Sequence, residues 1–255
     1  GIEAGRDLYF RNLGGTGEQL ADVTPEMGTL TIRAKQTRTA ASGGMRIVGF
    51  ETAVFADQDE LYRGTTGFGS FSAAALGNQR GLSLPADEPA RIDAWRASAQ
   101  LPEPLDLSGH PGLPRDDWRM LHRLTHANDA AGVAGLGCFE AAHDVDPQRW
   151  FFHAHFYLDP VMPGSLGLEG LLQLARVAWT RRFGAPPQRF STLRNPHRWI
   201  YRGQVRQRVQ TMTCQLEVVE IDAERRSIRC NGTVLADGLP IYQFFDFGVV
   251  AEEPL

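Results

Sequence analysis

Residues 150–174 read WFFHAHFYLDPVMPGSLGLEGLLQL, and the second half of that stretch sets the fold. Pro163 and Gly164 interrupt whatever precedes them, and Ser165 is a residue type that caps helix N-termini. The spacing predicts a helix over Leu166–Arg182, in which nearly every position as far as Trp179 is apolar or small. A helix apolar on all sides is buried on all sides. Glu169 and Gln173 break that rule, and their spacing of four puts them on one face. A carboxylate in such a helix is costly unless it is paired or protonated. Burial favours the protonated form, which makes Glu169 a candidate general acid and Gln173 a candidate substrate-binding group beside it. The structural alternative is an edge position or a salt-bridge partner.

The first half of the stretch, Trp150–Phe156, reads as an aromatic strand. Alternation then places His153 and His155 on one face and Phe152, Ala154 and Phe156 on the other. Across the short loop, one of these histidines can reach the start of the helix. A histidine beside a desolvated carboxyl offers a base and an acid at one cleft, which suits proton removal at one carbon and proton donation at its neighbour. The open N–H groups of Gly164, Ser165 and Leu166 make a site for a carbonyl that gains negative charge. Gly164 lets a substrate approach the backbone closely. A satisfied structural histidine is the alternative here.

The rest of the chain bounds these readings. Its 255 residues carry 26 Lys plus Arg against 30 Asp plus Glu, a net charge of −4, so no basic excess exists to hold a nucleic acid. Lys35 is the only lysine, which reads as a coding bias. Cys138, Cys214 and Cys230 are scattered and form no CxxC pair, which suggests neither a zinc knuckle nor a disulfide framework and fits a reducing cytoplasm. No apolar run is long enough for a membrane span, and residues 1–10 lack the apolar core of a signal peptide. Residue 1 is not Met, so the chain reads as an excised piece of something longer. HExxH, Gly-rich nucleotide loops and GxSxG are all absent, so neither a metal nor a nucleotide cofactor is expected. His122 and His126, four apart, resemble half a zinc site without the other half. Clustered arginines such as Arg202, Arg206 and Arg208 read as solvated strand positions, a minority of which suit an acidic carrier protein or a phosphate.

Three zones are expected. Residues 1–80 are strand-rich, with Ser42-Gly43-Gly44 as a hairpin turn and Gly67 and Gly69 as points of bending or close packing. Residues 81–116 hold six prolines and read as a linker. Residues 117–255 contain the helix and a second run of strands, over Trp199–Arg208, Thr211–Ile221, Ser227–Leu235 and Pro240–Val249. The stretch beginning TLTIRAK at Thr29 and the one beginning HRWIYRG at His197 share an order of strand, strand, Asp-rich turn, strand. They are either a degenerate internal repeat or two unrelated meanders.

The 25 residues Trp150–Leu174 also closely resemble the active-site segment of the hotdog-fold beta-hydroxyacyl-ACP dehydratases. The features carrying this are His-Phe, then Asp-Pro-Val-Met-Pro-Gly, then an acid fourteen residues after the histidine. The nearest look-alikes are the beta-hydroxydecanoyl-ACP dehydratase type and the dehydratase domains of polyunsaturated fatty acid synthases. DLYFRNLGGTG and WIYRGQV are similar to flanking segments of the latter.

The resemblance implies an α+β hotdog, an antiparallel sheet wrapped around one long helix, as a double hotdog with a degenerate first module. By this resemblance His155 matches the catalytic histidine and Glu169 the catalytic acid. Gly164 matches the glycine whose N–H binds the thioester carbonyl, with Ser165 and Gln173 as further substrate-binding residues. It implies dehydration of (3R)-3-hydroxyacyl chains carried by phosphopantetheine on an acyl carrier protein, in fatty acid, polyunsaturated fatty acid or polyketide-like synthesis. A silent hotdog scaffold, an acyl-chain binder and a hotdog thioesterase are the alternatives. In related enzymes two hotdogs pair, and the histidine of one works with the acid of the other. A pseudo-dimer within the chain and a homodimer are therefore both open. The decanoyl type has Asp at the acid position and often Cys where Ala154 stands, so double-bond isomerisation is left open as a secondary activity.

Overall fold

The computed structural model describes residues 8–42, 45–77 and 80–252. In chain order the elements are β1 (Tyr9–Gln19), β2 (Leu30–Ser42), β3 (Met45–Ala56), β4 (Asp59–Phe71), α1 (Ala73–Gly77), α2 (Glu88–Ala97), β5 (Leu105–Asp106), β6 (Arg123–Asn128), β7 (Cys138–Asp144), α3 (Trp150–Ala154), α4 (Gly164–Phe183), β8 (Phe190–Thr192), β9 (His197–Tyr201), β10 (Thr211–Asp222), β11 (Ser227–Ala236) and β12 (Leu239–Ala251). The chain divides into two compact units, Gly1–Arg80 with Arg194–Arg202, and Gly81–Leu193 with Gly203–Leu255. Gly43 and Gly44 of the expected hairpin turn lie outside the described residues, as do residues 1–7 of the N-terminal segment.

The second unit is a sheet in the order β12-β11-β10-β7-β6-β5 with α4 against it, and β8 pairs with β12. α4 packs on β7, β10, β11 and β12. Its buried residues run from Leu166 through Trp179, as an all-round apolar helix requires. The helix lies close to the sheet because Gly167 and Gly170 have no side chain. A Cβ on Gly167 would stand 2.9 Å from the Tyr242 ring, and one on Gly170 would stand 3.0 Å from Cys214 Sγ. The far end is held by Trp179, whose Nε1 donates to the Arg226 carbonyl at 2.6 Å, tying α4 to the β10–β11 turn.

Residues 81–116, expected as a linker, carry α2 and β5 and belong to this second unit. Pro89 stands at the start of α2, where its missing N–H costs nothing. Trp95, Leu107 and Leu113 are buried, which a solvated linker would not allow. α2 also supplies Arg96 to Glu140, a carboxylate on β7 that is only 5% exposed. Gln215 Nε2 donates to the same carboxylate at 2.7 Å, and His126 Nδ1 lies 3.1 Å from its other oxygen. Burial alone would push the Glu140 carboxyl up, but the hydrogen bonds from Gln215 and Arg96 outweigh it and hold it below the usual range.

The first unit is a sheet in the order β2-β3-β4-β1-β9. Gly14–Gly17 of β1 pairs with β9, which is why Arg194–Arg202 groups here. The Trp199–Arg208 strand expected from the sequence is shorter, ending at Tyr201. Gly69 has a packing reason, since a Cβ there would meet the Phe71 ring at 2.4 Å, whereas Gly67 is open.

The β3–β4 and β11–β12 hairpins share one register at their turns. In the first, Ala56 pairs with Asp59, Phe55 with Glu60 and Val54 with Tyr62, which bulges Leu61. In the second, Ala236 pairs with Leu239, Leu235 with Pro240 and Val234 with Tyr242, which bulges Ile241. Corresponding residues are 180 apart throughout this turn. Asp57 (φ 51°) and Asp237 (φ 46°) occupy the same left-handed turn position, and Leu61 and Ile241 are both buried. The correspondence therefore sets β2-β3-β4 against β10-β11-β12, whereas the order of strands in the sequence sets β2 against β9. Side-chain identity between the meanders is too low to show this. Strand register shows it because bulges and turns depend on backbone pairing.

His143 on β7 is 1% exposed, and neither ring nitrogen has a partner among the described residues. Burial first, then the neighbouring His122 and Arg149, push it down to about 3. The folded state thus refuses a proton that the unfolded chain accepts near its ordinary value of 6.5. The stability this neutral ring allows is complete above that value and is lost as pH falls below it. Between pH 7 and pH 5 the loss from this group is about 2 kcal/mol. A His143→Leu variant should lose less stability over that interval by a similar amount, as read by denaturant unfolding at both pH values. Equal losses in both proteins would contradict the account. Arg96→Met should destabilise the chain by about 3 kcal/mol by leaving Glu140 buried without its cation, measured the same way at pH 7.

Candidate active site

The aromatic stretch before the loop is a helix, not the expected strand. α3 covers Trp150–Ala154, and consecutive Phe151 and Phe152 are both buried. Alternating strand geometry cannot bury neighbours on one side. Packing of the two rings therefore overrides their strand propensity. As a result His153 is exposed and His155 is half-buried at the end of α3, so the two do not share a face. The His155 ring lies 4.0 Å from that of Phe156, centroid to centroid.

The His155 Nδ1 lies 3.0 Å from the Val161 carbonyl oxygen. A carbonyl only accepts, so Nδ1 carries the hydrogen and Nε2 of the neutral ring keeps its lone pair as a base. Val161 is itself held, bridging to Arg206, while the N–H of Met162 donates to the Val205 carbonyl at 2.9 Å. The loop that orients the imidazole is thus pinned at its centre.

α4 begins at Gly164, with Pro163 as its N-cap and no side chain capping it. Ser165, read from the sequence as the cap, is instead an exposed residue of the first turn. Pro163 already has the extended conformation a cap needs, so the helix starts two residues earlier. The Leu166 N–H, expected to be open, donates to the Pro163 carbonyl at 3.0 Å, which leaves those of Gly164 and Ser165 for an anion or a polarised carbonyl.

Glu169 is half-buried, its side chain 26% exposed, and it is partnered rather than isolated. Its Oε1 accepts from Gln173 Nε2 at 2.9 Å and lies 3.5 Å from Arg176 Nη1. His155 and Glu169 share no hydrogen bond or ion pair with each other. Gln173 is fully buried, and its amide is a joint. Nε2 donates to the Trp118 carbonyl at 2.8 Å as well as to Glu169, and Oε1 accepts the Met120 N–H at 2.8 Å. The Trp118 ring in turn packs 5.5 Å from that of Trp150 at the start of α3. One amide therefore links the acid to the segment that braces the histidine's helix. Sequence reading missed the Val161 carbonyl, which leaves no side-chain signal. It also missed Arg176, which was legible as a third polar residue on the face of Glu169 and Gln173.

A helix packed on an antiparallel sheet recurs in known proteins. The chain resembles the dehydratase domain from the CurJ module of the curacin polyketide synthase (TM-score 0.53, 10% identity, covering 93% of this chain and 75% of that one). It also resembles an acyl-CoA thioesterase II of Mycobacterium marinum (TM-score 0.52, 10% identity, 96% and 84%) and a hotdog-fold protein of Alicyclobacillus acidocaldarius (TM-score 0.52, 14% identity, 96% and 80%). These likenesses define the fold as a hotdog. Residues 113–244, more than half of the chain, match the FabA-like domain, and the chain belongs to that family. It is 27% identical over 264 residues to one component of the polyunsaturated fatty acid synthase of Thraustochytrium sp., covering 93% of this chain and 17% of that protein. This chain therefore spans less than a fifth of that relative's length.

Replacing Gln173 with Leu strands the Trp118 carbonyl and the Met120 N–H in the interior. The expected cost is about 2 kcal/mol, measured by denaturant unfolding. A loss below about 0.5 kcal/mol would show that the amide is not the joint described.

Proposed function

We propose that this chain dehydrates (3R)-3-hydroxyacyl thioesters borne by an acyl carrier protein, giving trans-2-enoyl thioesters. The observation that carries the reading is the His155 ring, held through Nδ1 by the carbonyl of Val161, three residues before α4 begins, so that Nε2 of the neutral ring keeps its lone pair. Nε2 removes a proton from C2. The thioester oxygen gains negative charge and is met by the Gly164 N–H and the helix dipole. Ser165 and Gln173 border the bound acyl group. Glu169, protonated, gives its proton to the C3 hydroxyl as the C3–O bond breaks, so that a C2–C3 double bond forms and water leaves. The acyl chain lies along the apolar flank of α4. The polyunsaturated fatty acid synthase relative and the polyketide synthase dehydratase neighbour support this class of chemistry.

In this reading the base and the acid that meet one substrate come from two copies of the second unit. His155 and Glu169 have other partners within one copy. In the same reading the first unit is the back half of another hotdog, which the match of the β3–β4 turn to the β11–β12 turn 180 residues on supports. Among its described residues the short α1 is the first unit's one α-helix.

His155→Ala and Glu169→Gln should each lower turnover of a 3-hydroxyacyl thioester by at least about a hundredfold. Retention of turnover within about threefold in both would end the proposal. Mixing the two inactive variants should restore part of the activity if the site is shared between copies, and none if it is not. Thioesterase neighbours share the fold, so products need to be identified. An enoyl thioester supports dehydration, and a free thiol supports hydrolysis instead.

A further inference from the structure

Arg176 is a cation in a helix that is otherwise apolar over most of its surface. Its side chain is 21% exposed, and its Nε is buried with no partner among the described residues. Burying a guanidinium is costly unless it is paired. Its one ion-pair partner among the described residues is Glu169. Residues 169, 173 and 176 are spaced as i, i+4 and i+7, so they stand in one row along α4. Gln173 Nε2, at 2.9 Å, and Arg176 Nη1, at 3.5 Å, both approach the same oxygen, Oε1. Neither engages Oε2. The carboxyl group is thus held from one side, by donors on two successive turns.

The geometry points to Arg176 as a positioning residue that, with Gln173, fixes Oε1 of Glu169 and so leaves Oε2 as the oxygen facing the substrate. This rests on the dehydration reading of the same site. A carboxyl that donates a proton needs that proton on the oxygen nearest the leaving hydroxyl. If the group turns freely, the proton spends much of its time on the wrong side. Anchoring one oxygen removes that freedom, and misplacing a reacting group by about 1 Å costs up to about a hundredfold in rate. Arg176 touches neither reacting carbon in this account and acts only through Glu169.

The test compares the full chain with its Arg176→Met, Arg176→Lys, Glu169→Gln and Arg176→Met/Glu169→Gln variants on a 3-hydroxyacyl thioester. Arg176→Met should lower kcat by roughly ten- to a hundredfold with KM changed by no more than about twofold. Arg176→Lys should recover most of the loss, because a cation at that height of the helix is restored. In the Glu169→Gln background, Arg176→Met should cost nothing further. A raised KM with kcat unchanged would overturn the inference, as would an equal loss in both backgrounds. A crystal structure of Arg176→Met supplies an arm independent of turnover. The Glu169 carboxyl should be rotated away from its place beside Gln173, and finding it unmoved would overturn the positioning role. Full turnover by Glu169→Gln would instead defeat the dehydration reading, which this crystallographic arm does not presuppose.

Discussion

An α-helix that is apolar around nearly its whole circumference can persist in water only inside something else. That constraint organises the second unit. α4 lies on four strands, close enough that Gly167 and Gly170 touch side chains of the sheet directly. Removing the helix would expose the inner face of β10, β11 and β12, and removing the sheet would expose the helix. The less buried positions of α4 include Ser165, Glu169, Arg176 and Thr180. These polar groups of the helix therefore collect at the seam where its casing is incomplete.

Buried polar groups elsewhere hold this seam in shape. Gln173 satisfies two backbone groups of the Trp118–Met120 segment and one oxygen of Glu169. Val161 fixes the His155 tautomer and is itself clamped by the bridge to Arg206. Farther out, Glu140 is satisfied by Arg96, Gln215 and His126, which fastens α2 to the sheet. Each is an interior polar group with its partners supplied, the condition under which such groups add rigidity. His143 is an exception, a neutral ring whose nitrogens have no hydrogen-bond partner among the described residues. Its price is paid only when the solution becomes acidic enough to protonate the unfolded chain.

The elements whose local signals mislead show where such signals lose to packing. Trp150–Phe156 has the aromatic composition of a strand, yet the adjacent rings of Phe151 and Phe152 pack 4.7 Å apart on a helical turn. Residues 81–116 have the prolines of a linker, but Pro89 starts a helix, and Trp95 and Arg96 find partners far along the chain. The two meanders share an order of strands in the sequence, but the hairpins that match in the structure, β3–β4 and β11–β12, are offset from that order by one strand, and their match lies in the bulges at Leu61 and Ile241.

By itself the sequence determined the buried helix, the polar face on it, the loop before it and the strand meanders, because period and punctuation are local and survive without coordinates. Tertiary structure alone decided which nitrogen of His155 is free, which oxygen of Glu169 is held and where α2 packs. These depend on a backbone carbonyl, a guanidinium two turns away and a carboxylate on another strand. Contacts of that kind are made by distance in space, which side-chain order along the chain does not encode.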